Sequence, residues 1–220
     1  MRIGKFLSRA GLCSRRGAAE YLKENSVTCD NQTIDRLDFD VPENSSIQVG
    51  GKTYDISKTT EIYLLNKPPG YICSHKEHRG EKNIFRMLPK GTEKYYFAGR
   101  LDVMSRGLVV LSNDGDLIYQ LTHPSFSTEK TYNIKVSRPL SDEELKKMTQ
   151  GVWCNGEKLK AKNITKLAKL AHYQWVLVEG KNRQIRRMVE SLGLRVTDLL
   201  RLSMGKYKLD NLEAGKFKKL

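Results

Sequence analysis

From Ile62 onward, the sequence is dominated by short segments rich in branched and aromatic residues, each bounded by turn-forming residues. The six segments are IYLL at 62–65, YICS at 71–74, KYYFAG at 94–99, GLVVLS at 107–112, KTYNIKV at 130–136 and HYQWVLVEG at 172–180. Residues of these types favour β-strands, and the turn formers separate one strand from the next. Because the strand candidates outnumber helices without alternating with them, we predict an α+β domain with a mixed, largely antiparallel sheet and flanking helices, rather than a doubly wound parallel fold.

Two helices are predicted in this domain. Ser141 begins the sequence Ser-Asp-Glu-Glu, a capping box for a helix through Met148. Asn182 can cap a second helix, whose apolar residues share one face, and Gly193 ends it.

The first 52 residues predict a separate small module. Apolar residues recur at helical spacing from residue 3 to 10, and Ser14 can cap a second helix through Leu22. Short strand candidates follow at 27–29 and 47–49, which gives two small helices and a short hairpin. The polar segment 53–60 has no regular period and is interpreted as a linker, so the larger domain spans 61–220.

The charge is strongly basic and unevenly distributed. Lys and Arg number 39 against 25 Asp and Glu, for a net charge of +14. The first 58 residues hold nine basic and eight acidic side chains, so nearly all of the excess lies in the larger domain. A field of this sign attracts polyanions by releasing their counterions, so nucleic acid is the first partner to consider and an acidic membrane surface the second.

Cysteine usage and hydropathy bear on the compartment. Cys13, Cys29, Cys73 and Cys154 are widely spaced and form no C-x-x-C pair, which suits a reducing environment. No apolar run reaches the roughly 18 residues of a membrane span, and arginines interrupt any signal-peptide core. We therefore expect a cytoplasmic protein that does not insert into a membrane.

The segment AGRLDVMSRGLVVLSNDGDL at 98–117 holds the strongest candidate for chemistry. A strand ends at Gly99, and an apolar strand follows from Leu108 into an Asn-Asp-Gly turn, so Asp102 is predicted on a loop between two strands with Arg100 close by. Scaffolds of this kind favour catalytic groups because they fix a side chain's direction. An Asp near an Arg is more often part of a surface ion pair, so these residues alone favour that interpretation and leave the catalytic one open.

Two resemblances extend this interpretation. The opening RIGKFLSRAGLCSRRGAAEYLKENSVTCDN resembles the alpha-L RNA-binding module, although Asn25-Ser26 and Asp30-Asn31 replace the usual glycine and Asn-Gly turn. GRLD, a spaced Ser and GLVVLSNDG resemble the signature of ribosomal RNA pseudouridine synthases of the RsuA type. NKPPGYICS at 66–74, EKTYNIKV at 129–136 and EGKNRQIRRMVESLGLRV at 179–196 continue the resemblance in the family's order.

The second resemblance implies a pseudouridine synthase fold and a role for individual residues. Asp102 would be the catalytic carboxylate, Tyr132 the tyrosine that stacks on the uracil, and Arg186 the basic partner of Asp102, with Arg183 as the alternative partner. Without the family pattern, the favoured interpretations are an ordinary sheet residue for Tyr132 and a solvated or phosphate-contacting helix face for Arg183, Arg186 and Arg187. The resemblance to the alpha-L module implies RNA contacts for Arg2, Lys5, Arg9, Arg15 and Arg16, and the second resemblance implies them for Arg100, Arg183 and Arg187.

The function expected from these features is isomerisation of a specific uridine, flipped out of structured ribosomal RNA, by a monomeric enzyme without metal or cofactor. Arg183 in the sequence RQIRR slightly favours the large ribosomal subunit. The alternative is a non-catalytic RNA-binding or ribosome-assembly factor on the same fold. Cys73, His75 and His78 are a rival set of metal ligands, but flanking cations favour an exposed loop that faces RNA.

Overall fold

The computed structural model describes residues 1–43, 45–54, 60–76 and 80–220. The chain divides into two units, Met1–Thr60 and Glu61–Leu220. None of the helices in the described ranges has the length and apolar character needed to cross a bilayer.

The first unit contains two helices and a four-stranded antiparallel sheet, in the order β2-β1-β3-β4. Its elements are α1 Ile3–Arg9, α2 Ala18–Glu24, β1 Val27–Cys29, β2 Gln32–Thr33, β3 Ile47–Val49 and β4 Lys52–Tyr54. Apolar residues of both helices and of β1 and β3 form one buried cluster. The sheet is therefore larger than the single hairpin that the sequence predicted.

Local details of this unit differ from the prediction. The second helix begins at Ala18, because Ser14 accepts a hydrogen bond from the backbone amide of Gly17 at 3.0 Å and stabilises a turn instead of the helix. The segment expected as a linker begins as part of β4, and residues 55–59 lie outside the described ranges. Asp30 and Asn31 both have positive φ, which a two-residue hairpin turn requires.

The second unit is built around a nine-stranded sheet. Its strands are β5 Ile62–Lys67, β6 Tyr71–Ile72, β7 Lys82–Asn83, β8 Tyr96–Ala98, β9 Arg106–Ser112, β10 Lys130–Val136, β11 Val152–Cys154, β12 Glu157–Leu159, β13 Asn163–Lys166, β14 His172–Leu177, β15 Val196–Met204, β16 Tyr207–Lys208 and β17 Phe217–Lys219. Its helices are α3 Gly115–Thr122, α4 Asp142–Gln150 and α5 Gln184–Glu190, with single 3-10 turns at Ile84–Met87 and Pro124–Phe126.

The main sheet runs β13-β14-β10-β15-β9-β5-β17, with β8 paired to β9 and β16 to β15. Within this sheet the pairing of β9 with β15 is parallel, and the other pairings are antiparallel. The predicted α+β class with a mixed, largely antiparallel sheet is therefore confirmed. The capping box at Ser141 is also present, with hydrogen bonds in both directions between Ser141 and Glu144.

Two of the elements that differ from the sequence prediction adjoin β9. The Asn-Asp-Gly segment was expected to be a turn, but Asp114 is the N-cap of α3 and accepts a hydrogen bond from the backbone amide of Asp116 at 2.9 Å. The strand Val196–Met204 was not predicted, because Asp198 and Arg201 interrupt its apolar residues. This unpredicted strand lies between β10 and β9, at the centre of the sheet.

Strand β9 is buried on both faces of the sheet. Val109 and Leu111 belong to one apolar cluster, and Leu108 and Val110 belong to another, with all four side chains inaccessible to solvent. Burial on both faces explains why this strand is a continuous apolar run instead of an alternating one. The loop that precedes β9 is thus attached to a strand that is packed on both faces.

Gly107 marks the closest approach of β9 to β15, and its replacement by alanine should destabilise the fold. Its φ is +109°, and an added Cβ would lie 2.3 Å from the carbonyl oxygen of Arg201 and 2.6 Å from its nitrogen. We expect Gly107→Ala to lower the free energy of unfolding by about 3 kcal/mol or more. Gly193→Ala is the control, since Gly193 has φ +70° but no heavy atom within 4 Å, and should cost about 1 kcal/mol. Equal midpoints of urea unfolding for the two variants would contradict this account.

Candidate active site

Asp102 lies on the loop between β8 and β9 and borders two adjoining depressions. One is a cavity of about 180 Å³, also lined by Tyr132, and the other is a groove of about 820 Å³. The Asp102 side chain is 35% exposed, so its carboxylate is accessible from both. A group bound in the cavity and a chain bound in the groove would therefore meet at this carboxylate.

Two arginines from the start of α5 accompany the carboxylate. Nε of Arg186 lies 3.4 Å, and Nη1 of Arg183 3.8 Å, from Oδ2 of Asp102. The first separation is an ion-pair distance without hydrogen-bond geometry, since Nε of Arg186 has no hydrogen-bond partner among the described residues. The side chain of Arg183 is the more exposed of the two. Arg183 is the N-cap residue of α5, and its positive φ lies outside the range of the helix that follows. The structure thus brings both predicted partners to Asp102.

Ser105 connects the Asp102 loop to Arg186. Its side chain is buried, and its Oγ accepts a hydrogen bond of 3.0 Å from Nη2 of Arg186. Its backbone amide donates to the carbonyl of Asp102 at 3.0 Å, which closes the turn. Nη1 of Arg186 donates to the carbonyl of Val196 at 3.1 Å. Arg186 is consequently held at both terminal nitrogens, and its Nε lies 3.4 Å from the carboxylate.

Lys67 binds the backbone of the same loop. This lysine ends β5 and is inaccessible to solvent. Its Nζ donates to the backbone carbonyls of Ser105 at 2.6 Å and of Val103 and Pro68, both at 3.1 Å. Burial lowers the pKa of Lys67 to about 8. Three carbonyl acceptors match the three donors of an ammonium, so the side chain is fully satisfied despite its burial.

Tyr132 and two further cations line the small cavity. Tyr132 lies in β10 and is 7% exposed, and Lys130 precedes it on the same face of the strand. Arg201 lies in β15, which pairs with β10, and is 2% exposed. Tyr132 and Arg201 are register partners across these two strands, which explains why both border one cavity.

The RNA-contacting residues predicted in this unit divide into two groups. Arg100 and Arg183 line both the cavity and the groove. Arg187 does not line either, because its guanidinium donates to Glu157 at 2.6 Å and to the carbonyl of Cys154 at 2.7 Å. The side chain of Arg187 is 15% exposed and connects α5 to the hairpin of β11 and β12. Arg187 is therefore engaged within the fold and lies outside both depressions, and its contact with RNA stays a prediction.

The predicted RNA-contacting residues of the first unit lie on or beside its two helices. Arg9 is in the last turn of α1, and Arg16 is exposed in the turn before α2. Lys5 is half-buried on α1, and Arg15 is exposed beside Arg16. Arg2 is exposed and pairs with Asp40 at 3.5 Å, so part of its charge is already neutralised within the unit.

The rival set of metal ligands has little structural support. His75 packs against Phe85 and Phe97, with ring centroids 5.0 and 5.1 Å away, and its Nε2 lies 2.9 Å from the carbonyl oxygen of Tyr95. His78 lies outside the described residues. Within the described ranges, no group of three His, Cys, Asp or Glu side chains is arranged to hold a metal ion.

Sequence reasoning missed Lys67, Ser105, Lys130 and Arg201 as functional residues. Lys67 entered the sequence analysis only within NKPPGYICS at 66–74, a segment of the family resemblance for which no role was predicted. The sequence did contain a signal, which is a lysine or arginine inside an apolar, strand-forming segment. Such a segment is expected to be buried, and these side chains are almost never fully buried without a specific partner. Lys67 and Arg201 both stand in such segments, IYLLNK and LLRLSM.

Comparisons with known proteins agree with this geometry. Residues 61–191 match the sequence model of a family described as RNA pseudouridylate synthase. A protein of Rickettsia felis called an uncharacterized RNA pseudouridine synthase is 34% identical, over 100% of this chain and 96% of its own length. A Buchnera aphidicola protein called ribosomal large subunit pseudouridine synthase B is 32% identical, over 92% and 85% of the two chains. A solved structure described as a pseudouridylate synthase superposes with a TM-score of 0.70 at 26% identity, covering 100% of this chain and 96% of that one.

Replacing Lys67 should release the Asp102 loop and alter the pH dependence of stability. Lys67→Met leaves three carbonyls without their donor, and we expect the free energy of unfolding near pH 7 to fall by about 2 kcal/mol or more. Because the pKa of Lys67 is lowered to about 8 in the folded state, from an ordinary 10.5, the unfolded chain binds the additional proton between these values. The contribution of Lys67 to stability should therefore increase as the pH rises from about 8 to 10.5.

Urea unfolding at several pH values measures both effects. The control is Lys135→Met, at an exposed lysine on β10. The increase with pH should be present in the wild type and in the control, and smaller in Lys67→Met. Identical pH profiles for all three proteins would contradict the assignment.

Proposed function

Because this chain belongs to the RNA pseudouridylate synthase family, we propose that it converts one specific uridine of ribosomal RNA to pseudouridine, with Asp102 as the catalytic carboxylate. The observation that carries the proposal is the position of Asp102, between a small cavity and a larger groove and within ion-pair distance of Arg183 and Arg186. The remaining functional side chains surround this position.

The reaction matches the groups that are present. Isomerisation breaks the bond between ribose C1′ and uracil N1, turns the uracil and joins its C5 to C1′, and neither oxidation nor reduction is involved. Asp102 acts at the base or at the ribose from the rim of the cavity. Tyr132, buried in the cavity wall, provides a ring against which the uracil stacks. The two terminal nitrogens of Arg186 are fixed by Val196 and Ser105, so its Nε stays beside the carboxylate and its charge helps to hold Asp102 in position.

The two depressions correspond to two parts of the substrate. The small cavity, at about 180 Å³, is below the roughly 300–1,000 Å³ of common ligand pockets and suits a single base. A base inside an RNA helix cannot reach it, so the target uridine is flipped out, at a cost of a few kcal/mol that is smallest in loops and bulges. The groove is lined by Arg100, Lys181 and Arg183, whose charges suit the phosphates on either side of the flipped nucleotide.

The first unit is proposed to bind RNA backbone without choosing the nucleotide. Its resemblance to the alpha-L module and the cations on and around α1 and α2 support this role. Such contacts raise affinity by releasing counterions, while the fit of the extruded base in the second unit selects the uridine.

The target is proposed to lie in the RNA of the large ribosomal subunit. The printed name of the Buchnera relative, together with Arg183 in the sequence RQIRR, supports this choice. All proposed catalytic side chains belong to one unit of one chain, so we propose that a monomer is sufficient. A ribosomal RNA substrate and four free cysteines agree with action in the cytoplasm.

Asp102→Asn should abolish turnover while leaving RNA binding intact. The substitution keeps the shape of the side chain and removes the carboxylate, so we expect the rate to fall by more than about 10³-fold. The substrate is ribosomal RNA from cells that lack this gene product, and pseudouridine is mapped by mass spectrometry. Asp142→Asn, at an exposed aspartate that pairs with Lys166, is the control and should retain wild-type activity. Equal turnover by Asp102→Asn and the wild type would refute the enzymatic role and favour a non-catalytic RNA-binding protein.

Neutralising cations of the first unit should weaken RNA binding without slowing the chemical step. For Arg9→Gln/Arg16→Gln we expect the slope of log affinity against log salt to fall by about one per arginine. The rate at saturating RNA should stay within about twofold of the wild type, because these residues lie outside the unit that holds Asp102. The control is Arg36→Gln/Lys52→Gln, since Arg36 already pairs with Asp38 at 3.4 Å and Lys52 lies over the ring of Tyr54. If both double variants change the slope equally, the first unit has no specific RNA-binding face.

A further inference from the structure

Arg201 is a buried arginine whose charge has no anionic partner in the described part of the chain. It lies in β15, lines the small cavity and is 2% exposed. Its Nε donates to the carbonyl of Leu108 at 2.7 Å, but its Nη2 has no hydrogen-bond partner among the described residues. Buried guanidinium groups are normally paired with a carboxylate or fully hydrogen-bonded, so an unsatisfied nitrogen on a residue that lines a cavity points to a group that binds there.

The same wall carries a second buried cation. Lys130 is 5% exposed, and its Nζ donates to the carbonyl of Thr128 at 2.8 Å. Burial, and then the charge of Arg201, lower the pKa of Lys130. Glu179 acts in the opposite direction and favours the charged form. Two buried cations that line one cavity are placed to receive negative charge from a bound group.

We propose that Arg201 is a further catalytic residue that contacts a carbonyl oxygen of the flipped uracil and stabilises the negative charge that develops there. This inference rests on the proposed function. When the C1′–N1 bond breaks, its electron pair stays with the uracil, and the charge spreads from N1 to O2 and O4. The pair is returned when C5 bonds to C1′, the C5 hydrogen leaves as a proton, and N1 takes up a proton. Attack of a carboxylate at C6 would also move electron density onto O4, so the role does not depend on where Asp102 acts.

The position of Arg201 favours the base over a phosphate as its ligand. Arg201 and Lys130 line the small cavity but not the groove, whereas Arg100, Lys181 and Arg183 line both. The base is the part of an extruded nucleotide that enters most deeply. Electrostatic stabilisation of developing charge is strongest from a donor that is buried and held in place before reaction, as Arg201 is.

A purely structural role does not account for this side chain. The bond from Nε to Leu108 connects β15 to β9 and uses one nitrogen of the three. Arg106, on the adjacent strand, shows the structural arrangement, because its Nε and Nη2 donate to the two carboxylate oxygens of Asp198 at 2.8 and 2.6 Å. Arg201 has no comparable partner in the described ranges.

The test compares uridine with 5-fluorouridine at the target position of the RNA. Fluorine withdraws electrons and stabilises the uracil anion, so cleavage of the C1′–N1 bond should depend less on Arg201. We expect Arg201→Gln to lower the single-turnover rate on uridine about 10²-fold, with the dissociation constant for RNA within threefold of the wild type. On 5-fluorouridine RNA, where cleavage is followed by nuclease digestion and mass spectrometry, the deficit should be at least fivefold smaller. Arg201→Lys, which keeps the charge, should show the same pattern with a smaller loss and covers the case in which Arg201→Gln folds poorly.

Arg106→Gln is the matched control, since it removes a paired arginine from the neighbouring strand and should lose the same factor on both substrates. Equal deficits of an Arg201 variant on both substrates would overturn the inference. So would a variant that binds RNA more weakly, with a reduced salt dependence and a normal rate at saturation, because that result identifies a phosphate contact. In either case the proposed function stands if the wild type forms pseudouridine and Asp102→Asn does not; it fails separately if these two proteins behave alike.

Discussion

A single buried ammonium determines where the candidate carboxylate points. Lys67 places Nζ within hydrogen-bond distance of three backbone carbonyls, two of which belong to the loop that follows Asp102. The loop is thereby attached to the end of β5, while its other end continues into β9, which is buried on both faces. A carboxylate on a free surface loop would sample many directions, whereas this one is directed toward the cavity and the groove together.

The basic side chains around this loop have two different roles. Arg106 and Arg187 are paired with Asp198 and Glu157, and they connect elements of the sheet and α5 to each other. Arg201 has no such partner in the described ranges and borders the cavity where the reacting base is proposed to bind. The net charge therefore indicates only that the partner is anionic. It does not distinguish a structural arginine, whose charge the fold neutralises, from a substrate-binding arginine, whose charge the fold leaves unpaired.

Local signals predicted the elements whose causes are local. KTYNIKV was predicted as a strand and forms one, because branched and aromatic residues alternate along it, and the capping box at Ser141 formed as its residues required. The prediction of a turn at the Asn-Asp-Gly segment was wrong. The same residues suit a turn and a helix N-cap, and only the apolar face of α3 that follows distinguishes the two.

The apolar segments around Lys67 and Arg201 suggest buried cations, but the partners of these side chains could not be predicted from neighbouring residues. Their decisive contacts join positions 38 and 93 residues apart, to Ser105 and Leu108, and become visible only when the sheet is assembled. By contrast, Asp102 was placed correctly on a loop between strands, and its pairing with the arginines of α5 was expected only through the family resemblance.

The most direct test of the account is a crystal structure of Asp102→Asn bound to an RNA fragment that contains the target uridine. We predict that the uracil is flipped into the small cavity against Tyr132, with the ribose or base edge within about 3.5 Å of residue 102 and the flanking phosphates in the groove. A complex in which the uridine stays stacked in the RNA and the cavity remains empty, although this RNA is a substrate of the wild type, would contradict it.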